Sequence, residues 1–242
     1  MDWPTVVAIV ILATTAAFIQ ALSGFGFSLF IVPFLAILIG PRDTVLLANL
    51  MSTFGSGSQA LYLRRSADRK TAGILLIGSL IGMPIGLAVL LLLDPKLLQL
   101  GIALSVIIFT LIMMRGVALH RVGTAGDIIA GLASGILNTS TSMSGPPVVL
   151  YLQGRNFPPL QFRATITTYF VITSAIGVVL LLATGNRPGY VFVAFVLAIP
   201  AIFAGQRLGN VLFEKVNVVV FRRIVFAILF ISAMAAIAGA IG

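Results

Sequence analysis

Charged residues divide the chain into eight uncharged, mostly apolar runs: Trp3–Pro41, Thr44–Leu63, Thr71–Leu93, Leu97–Met114, Ile128–Gly154, Ala164–Asn186, Pro188–Gln206 and Ile224–Gly242. Six of them are 18–23 residues long, the length of one membrane-crossing helix. The other two break that rule. Trp3–Pro41 has 39 residues, enough for two crossings, and is interrupted at Ser23-Gly24-Phe25-Gly26. Ile128–Gly154 has 27, too many for one crossing and too few for two, and is interrupted at Ser144-Gly145-Pro146-Pro147. Glycine and proline at these points disrupt a continuous helix, so each long run predicts two shorter helices meeting inside the membrane. The short partners are expected at about Phe27–Ile39 and Val148–Gln153.

Composition then excludes the soluble classes. Hydrophobic residues make up 60% of the 242 and charged residues 9%, against roughly 45–50% and 25% in soluble chains. Mean hydropathy is +1.16, and the long uncharged runs are helical spans rather than the alternating short strands of an outer-membrane barrel. The expected fold class is therefore an all-α polytopic membrane protein. There is no cysteine, which removes disulfides and thiolate chemistry. The start, Met1-Asp2-Trp3-Pro4, lacks the basic region of a cleaved signal peptide, and Trp3 reads as an interfacial anchor.

The net charge of +9 would suggest nucleic acid in a soluble protein, but here the basic residues sit in connections between spans. They carry topology, and no nucleic-acid partner is expected. If each broken run crosses an even number of times, Arg64, Arg65, Arg69, Lys70, Arg115, Arg121, Arg155, Arg163, Arg207, Lys215, Arg222 and Arg223 share one side. Only Arg42, Lys96 and Arg187 lie on the other. This twelve-to-three imbalance makes the first side cytoplasmic and puts both termini outside. An odd crossing of Ile128–Gly154 would level the count.

The row Gly78, Gly82, Gly86 recurs 123 residues later as Ala201, Gly205, Gly209, with Asp94 and Asn217 at the same offset. Ser23-Gly24 corresponds to Ser144-Gly145, and Pro41 through Asn49 to Pro159 through Thr165, at slightly shorter offsets. Each half reads as five hydrophobic segments led by a broken helix pair, residues 1–119 and 120–242 within one membrane domain. Five is odd, so the second copy is inverted, an architecture of transporters that hold substrate where broken helices face each other near the midplane. The small-residue rows themselves speak for close helix packing, not for a site.

Candidate chemistry collects at the breaks. Ser23, Gly24, Phe25 and Gly26 precede one short helix, and Ser144, Gly145 and Pro146 precede the other. Free N–H groups and the positive end of a helix dipole suit an anion there. Asn138-Thr139-Ser140-Thr141-Ser142 places five polar side chains in a row within an uncharged run, which is costly unless they face a cavity or one another. Their hydroxyls could equally bond the carbonyl four residues back. Asn138, Thr139 and Ser142 are taken as candidates, with Gln20, Asn49, Ser52, Thr53, Thr165 and Thr168 as further lining. Gln59, Thr167 and Thr173 lie on the same helices. Arg207 stands beside the small-residue row, either snorkelling to headgroups or guarding a cytoplasmic vestibule. His120 reads as a solvated loop residue, and Arg64–Lys70 as a contact with anionic lipid. All six acids (Asp2, Asp43, Asp68, Asp94, Asp127, Glu214) fall at segment ends or in loops. This argues against a carboxylate proton relay, a metal site or a catalytic residue, so neither enzyme activity nor a cofactor is expected.

Taken in order, the glycine break after the first helix, Ser144-Gly145-Pro146-Pro147, the stretch from Pro158-Pro159 to Ala164 and Gly205-Gln206-Arg207-Leu208-Gly209 resemble the TauE/SafE sulfite-exporter family, also called the toluene-sulfonate uptake permeases. The resemblance covers nearly the whole chain. It implies a multi-pass transporter of the prokaryotic inner membrane that carries sulfite, sulfonates or related small anions, and it carries the site to Gly24, Gly26, Ser144, Gly145 and Pro146. The expected partners are thus a small anion and the lipid bilayer, and a homo-oligomer stays open. Alternating access at a midplane site is the leading reading; an anion channel and a non-transporting membrane scaffold are the alternatives.

Overall fold

The structure is a computed structural model, and it describes residues 3–115, 123–155, 157–185, 188–213 and 230. The last hydrophobic run apart from Phe230, together with Asn217, His120 and the boundary between residues 119 and 120, lies outside the described residues. Among those described, nine helices account for the regular structure: α1 (Trp3–Ser23), α2 (Phe27–Ile39), α3 (Pro41–Leu63), α4 (Arg69–Leu92), α5 (Pro95–Met114), α6 (Gly123–Thr141), α7 (Gly145–Gln153), α8 (Pro159–Ala183) and α9 (Gly189–Leu212).

Both long runs are broken, for different local reasons. After α1, Gly24 (φ +83) and Gly26 (φ +92) take left-handed conformations open to glycine, and α2 restarts at Phe27. At the second break the left-handed residue is Ser142 (φ 60). The turn therefore falls ahead of Ser144-Gly145-Pro146-Pro147, and α7 begins at Gly145 with both prolines in its first turn, where their missing N–H groups cost no helical hydrogen bond. By helical rise α2 is about 20 Å long and α7 about 14 Å, each short of a full crossing.

Three helix pairs dominate the packing: α4 with α6, α1 with α9, and α3 with α8. The first two are backbone-to-backbone contacts. A Cβ on Gly78, Gly82 or Gly86 would overlap the carbonyl oxygens of Ile128, Leu132 and Ile136, while one on Gly131 or Gly135 would overlap those of Leu75 and Ser79. On α9, Gly205 lies equally close to the Thr14 carbonyl, and Gly209 to Phe18 and Ala21. Only glycine permits such approach, and Cα–H groups then face carbonyl oxygens.

The distribution of polarity is that of a membrane protein. Helices α1, α4, α5, α8 and α9 are long and apolar enough to cross a bilayer. Their outward faces expose large apolar side chains such as Ile11, Ile77, Leu92, Val179 and Val211. The interior holds Gln20, Asn49, Ser52, Ser56, Gln59, Asn138 and Ser174. Helix α3 is as long as a span, but its apolar character is diluted by this buried polar face: Asn49, Ser52, Ser56 and Gln59 recur at helical spacing and are all buried.

Candidate functional site

Both breaks open onto one small cavity. It is lined by Gln20, Phe25, Gly26, Phe27, Ser28, Leu29, Ser52, Ser144, Gly145, Pro146 and Phe170. Its volume is about 20 Å³, room for about one water. Helix α2 points its N-terminus here. Gly26 O accepts from Phe30 N–H at 3.0 Å, and no side chain caps the N–H groups ahead of it. Helix α7 also lacks a side-chain cap, but Pro146 and Pro147 carry no N–H, so its first turn offers fewer backbone donors, Gly145 N–H among them. The cradle is thus unequal, with more donors on α2 than on α7. Ser52 contributes a hydroxyl from α3, which accepts from Ser174 Oγ of α8 at 3.1 Å. Gln20 Nε2 donates to Ser56 Oγ at 2.9 Å, leaving its Oε1 buried without a partner.

Other residues proposed from the sequence sit elsewhere. Ser23 Oγ donates to the carbonyls of Ile19 and Phe25 at 2.8 and 2.6 Å, which closes the first break rather than facing the cavity. Gly24 abuts Arg163, whose Cγ would lie 2.9 Å from a Cβ at that position. Asn49 and Asn138 form a separate buried cluster against Gly177, where Asn49 Nδ2 donates to the carbonyls of Val45 (2.9 Å) and Asn138 (3.3 Å). Asn49 Oδ1 and both amide atoms of Asn138 have no partner. Thr53 bonds the Asn49 carbonyl, Thr139 reaches across to Met83 O at 2.6 Å, and Ser140 and Thr141 bond back to Ile136 and Leu137. Ser142 Oγ is buried and unpartnered. Thr165 accepts from Asp68 N–H, and Thr168 lines a groove with Arg64 and Arg69, so neither reaches the cavity. Arg207 is exposed.

A family model described as sulfite exporter TauE/SafE matches residues 9–236. The chain belongs to the TauE/SafE family. It is a multi-pass membrane protein of a transporter family, and neither the curated proteins nor the solved structures hold a match to it.

Two charged features of this TauE/SafE chain escape a reading by loops and spans. Asp127, its side chain 2% exposed and one turn into α6, accepts from Arg155 Nη2 at 2.7 Å. The same guanidinium donates to Thr71 Oγ1 and Tyr151 Oη, and Tyr151 Oη donates to Gly123 O. Burial lowers the Arg155 pKa, but Tyr151 and Asp127 outweigh it and raise the guanidinium above its ordinary value. Asp68 caps α4 through Lys70 and Thr71 N–H. Burial pushes its carboxyl up, yet the Thr71 hydroxyl, these N–H groups and Arg155 together hold it below the usual carboxylate range. The network ties α4, α6 and α7 together at one end of the bundle.

The second feature is Arg163. Counted by sequence as a loop cation, it is 5% exposed, one turn into α8. Its Nη2 donates to Asn210 Oδ1 at 2.9 Å, and its guanidinium lies 4.1 Å over the Phe213 ring. The signal lay in Pro158-Pro159: a proline opening a helix places residue 163 inside it, on the face that continues through Thr167, Phe170 and Ser174.

Proposed function

We propose that this chain is a secondary transporter of small anions, with sulfite, sulfonates and related sulfur compounds as the substrate class, working by alternating access between two inverted repeats. The observation that carries the reading is the shared cavity: residues of both helix breaks and the middle of α3 line one small space. The α2 N–H groups, Gly145 N–H and the Ser28, Ser52 and Ser144 hydroxyls would hold an oxyanion through neutral donors and the α2 dipole. Asn49, Asn138 and Ser142 would serve the path beside it. A cavity for about one water is too small for an oxyanion, which fits a conformation that must open to load and release.

The inverted repeat is supported by the packing. Pairing α1 with α6, α3 with α8 and α4 with α9 turns the glycine contact of α4 on α6 into that of α9 on α1. Helices α3 and α8, paired by this correspondence, pack on each other, and Ser52 meets Ser174 where they cross. Membership of the sulfite-exporter family adds sulfite as the first anion to try. With the Lys/Arg-rich connections cytoplasmic, the protein resides in a prokaryotic inner membrane.

The test is flux of radiolabelled sulfite and of small sulfonates into proteoliposomes. Wild type is expected to carry at least one of them, and Ser52→Ala with Ser144→Ala to lower that flux at least tenfold while the protein remains folded. Absence of flux for every anion, or flux indifferent to the double substitution, would sink the proposal.

A further inference from the structure

Among the described lysines and arginines, Arg163 is the one that is buried. Among the described residues no carboxylate pairs with it, and the one ion pair there is Arg155 with Asp127. Asn210 and the Phe213 ring engage one edge and one face of its guanidinium, and Nε is buried without a partner. Enclosing a cation this way is expensive unless something further compensates it.

A second orphan lies nearby in register. Ser52 meets Ser174 and Asn49 meets Gly177 where α3 and α8 run antiparallel. Continuing this register places Gln59 opposite Thr167, one turn inward of Arg163. Gln59 is 2% exposed, and both atoms of its amide lack partners. Two unsatisfied groups, a cation and an amide, thus follow each other along the polar face of α3 and α8 toward the Ser52–Ser174 contact. The stem of Arg163 also braces Gly24 of the first break. Toward the opposite end of this face the buried polar groups of α3 are Asn49, which meets Asn138 of α6, and Thr44, none of them charged.

We propose that Arg163 and Gln59 form an anion subsite between the midplane cavity and the face bearing Arg64, Arg65, Arg69 and Lys70, and that this subsite holds a small oxyanion on its way to or from the cavity. The proposal rests on the transport reading above and adds an asymmetry to it: the anion meets a buried cation at one end of its path only. Arg163 Nε and Gln59 Nε2 donate to the anion, while Asn210 and Phe213 hold the guanidinium in place.

The experiment uses sulfite as probe with the full-length protein. Half-saturation for flux is measured separately from each face in proteoliposomes of defined orientation, and sulfite-induced thermal stabilisation is measured in detergent. Arg163→Gln is expected to raise half-saturation from the Arg163 face about 10- to 100-fold, the range for a hydrogen bond to a charged group, and to leave the other face within about twofold. Arg163→Lys should recover much of the loss. Gln59→Leu separates binding from folding: replacing an unpartnered buried amide by an apolar side chain should leave the unliganded protein as stable or more so, yet weaken stabilisation by sulfite several-fold. Equal changes from both faces, or a lower melting temperature with unchanged half-saturation, would make Arg163 a brace and overturn the subsite. If Arg163→Gln does not fold, Gln59→Leu decides: unchanged sulfite stabilisation refutes the proposal. If wild type carries no anion, the transport reading fails on its own, and sulfite-induced stabilisation still reports whether Arg163 and Gln59 bind one.

Discussion

Gly82→Ala probes the α4·α6 contact most directly. The added methyl would overlap the Leu132 carbonyl oxygen and fall 2.9 Å from Ile136 N, both backbone atoms that no rotamer change can move. Restoring an ordinary carbon–oxygen separation of roughly 3.4 Å requires the helices to part by about 1 Å. Overpacking of this kind costs about 1–3 kcal/mol. Because Gly78, Gly86, Gly131 and Gly135 lie in the same seam, their weak Cα–H contacts, each worth about 0.5–1 kcal/mol, loosen as well. A total near 3 kcal/mol corresponds to a melting temperature lower by about 6–12 °C for a chain of this size. The control is Gly73→Ala in the same helix, where nothing lies within 4 Å of the added carbon; helix propensity alone should raise stability by about 0.5–1 kcal/mol. Detergent-solubilised protein, heated in steps and resolved by size-exclusion chromatography, gives both values. A Gly82→Ala protein that melts within about 2 °C of wild type, or no further below it than Gly73→Ala, would refute the reasoning.

Two further predictions concern the charged end of the bundle. Arg155→Met leaves Asp127 buried and uncompensated and should destabilise by about 3–5 kcal/mol, with much of the loss restored by adding Asp127→Asn; the same thermal assay reads both. Asp68→Ala should cost about 1 kcal/mol at neutral pH as the α4 cap is lost. The folded-state pKa of Asp68 is depressed, so its contribution is complete above the unfolded value of 3.8 and disappears as pH falls through the lower folded value; melting curves of wild type and variant should converge on acidification into that range.

Much of the helical layout follows from where charge and glycine fall. The α2 bounds, Phe27–Ile39, coincide with the uncharged segment after the first glycine break. Helix α3 begins earlier than its uncharged run, at Pro41, because Arg42 at an exposed helix end turns outward and donates to the Leu91 and Leu93 carbonyls. A charge therefore marks the end of a hydrophobic run without ending the helix. Side-chain fate was less legible. Ser140, Thr141 and Thr139 sit side by side in sequence and all bond back within α6, yet only Thr139 also reaches α4, and with the shorter of its two bonds, a difference set by rotamer and neighbour rather than residue type. The burial of Asp127 and Arg163 was hidden for a related reason: both stand at segment ends, where a charge ordinarily meets headgroups and water, and only the partners brought by other helices draw them inward.

The glycine seams also dictate how the protein must be made. Helix α4 completes its close contact only when α6 has been synthesised, and α1 only when α9 has. At ~5–20 residues per second, α1 waits roughly 10–40 s in the bilayer for its partner, with an apolar surface that lipid can cover meanwhile. Neither half can close its own seams, because each seam takes one helix from either side of the chain's midpoint. A ribosome that stops after α5 leaves two unmatched helix faces, and a second chain carrying α6 onward is what would match them.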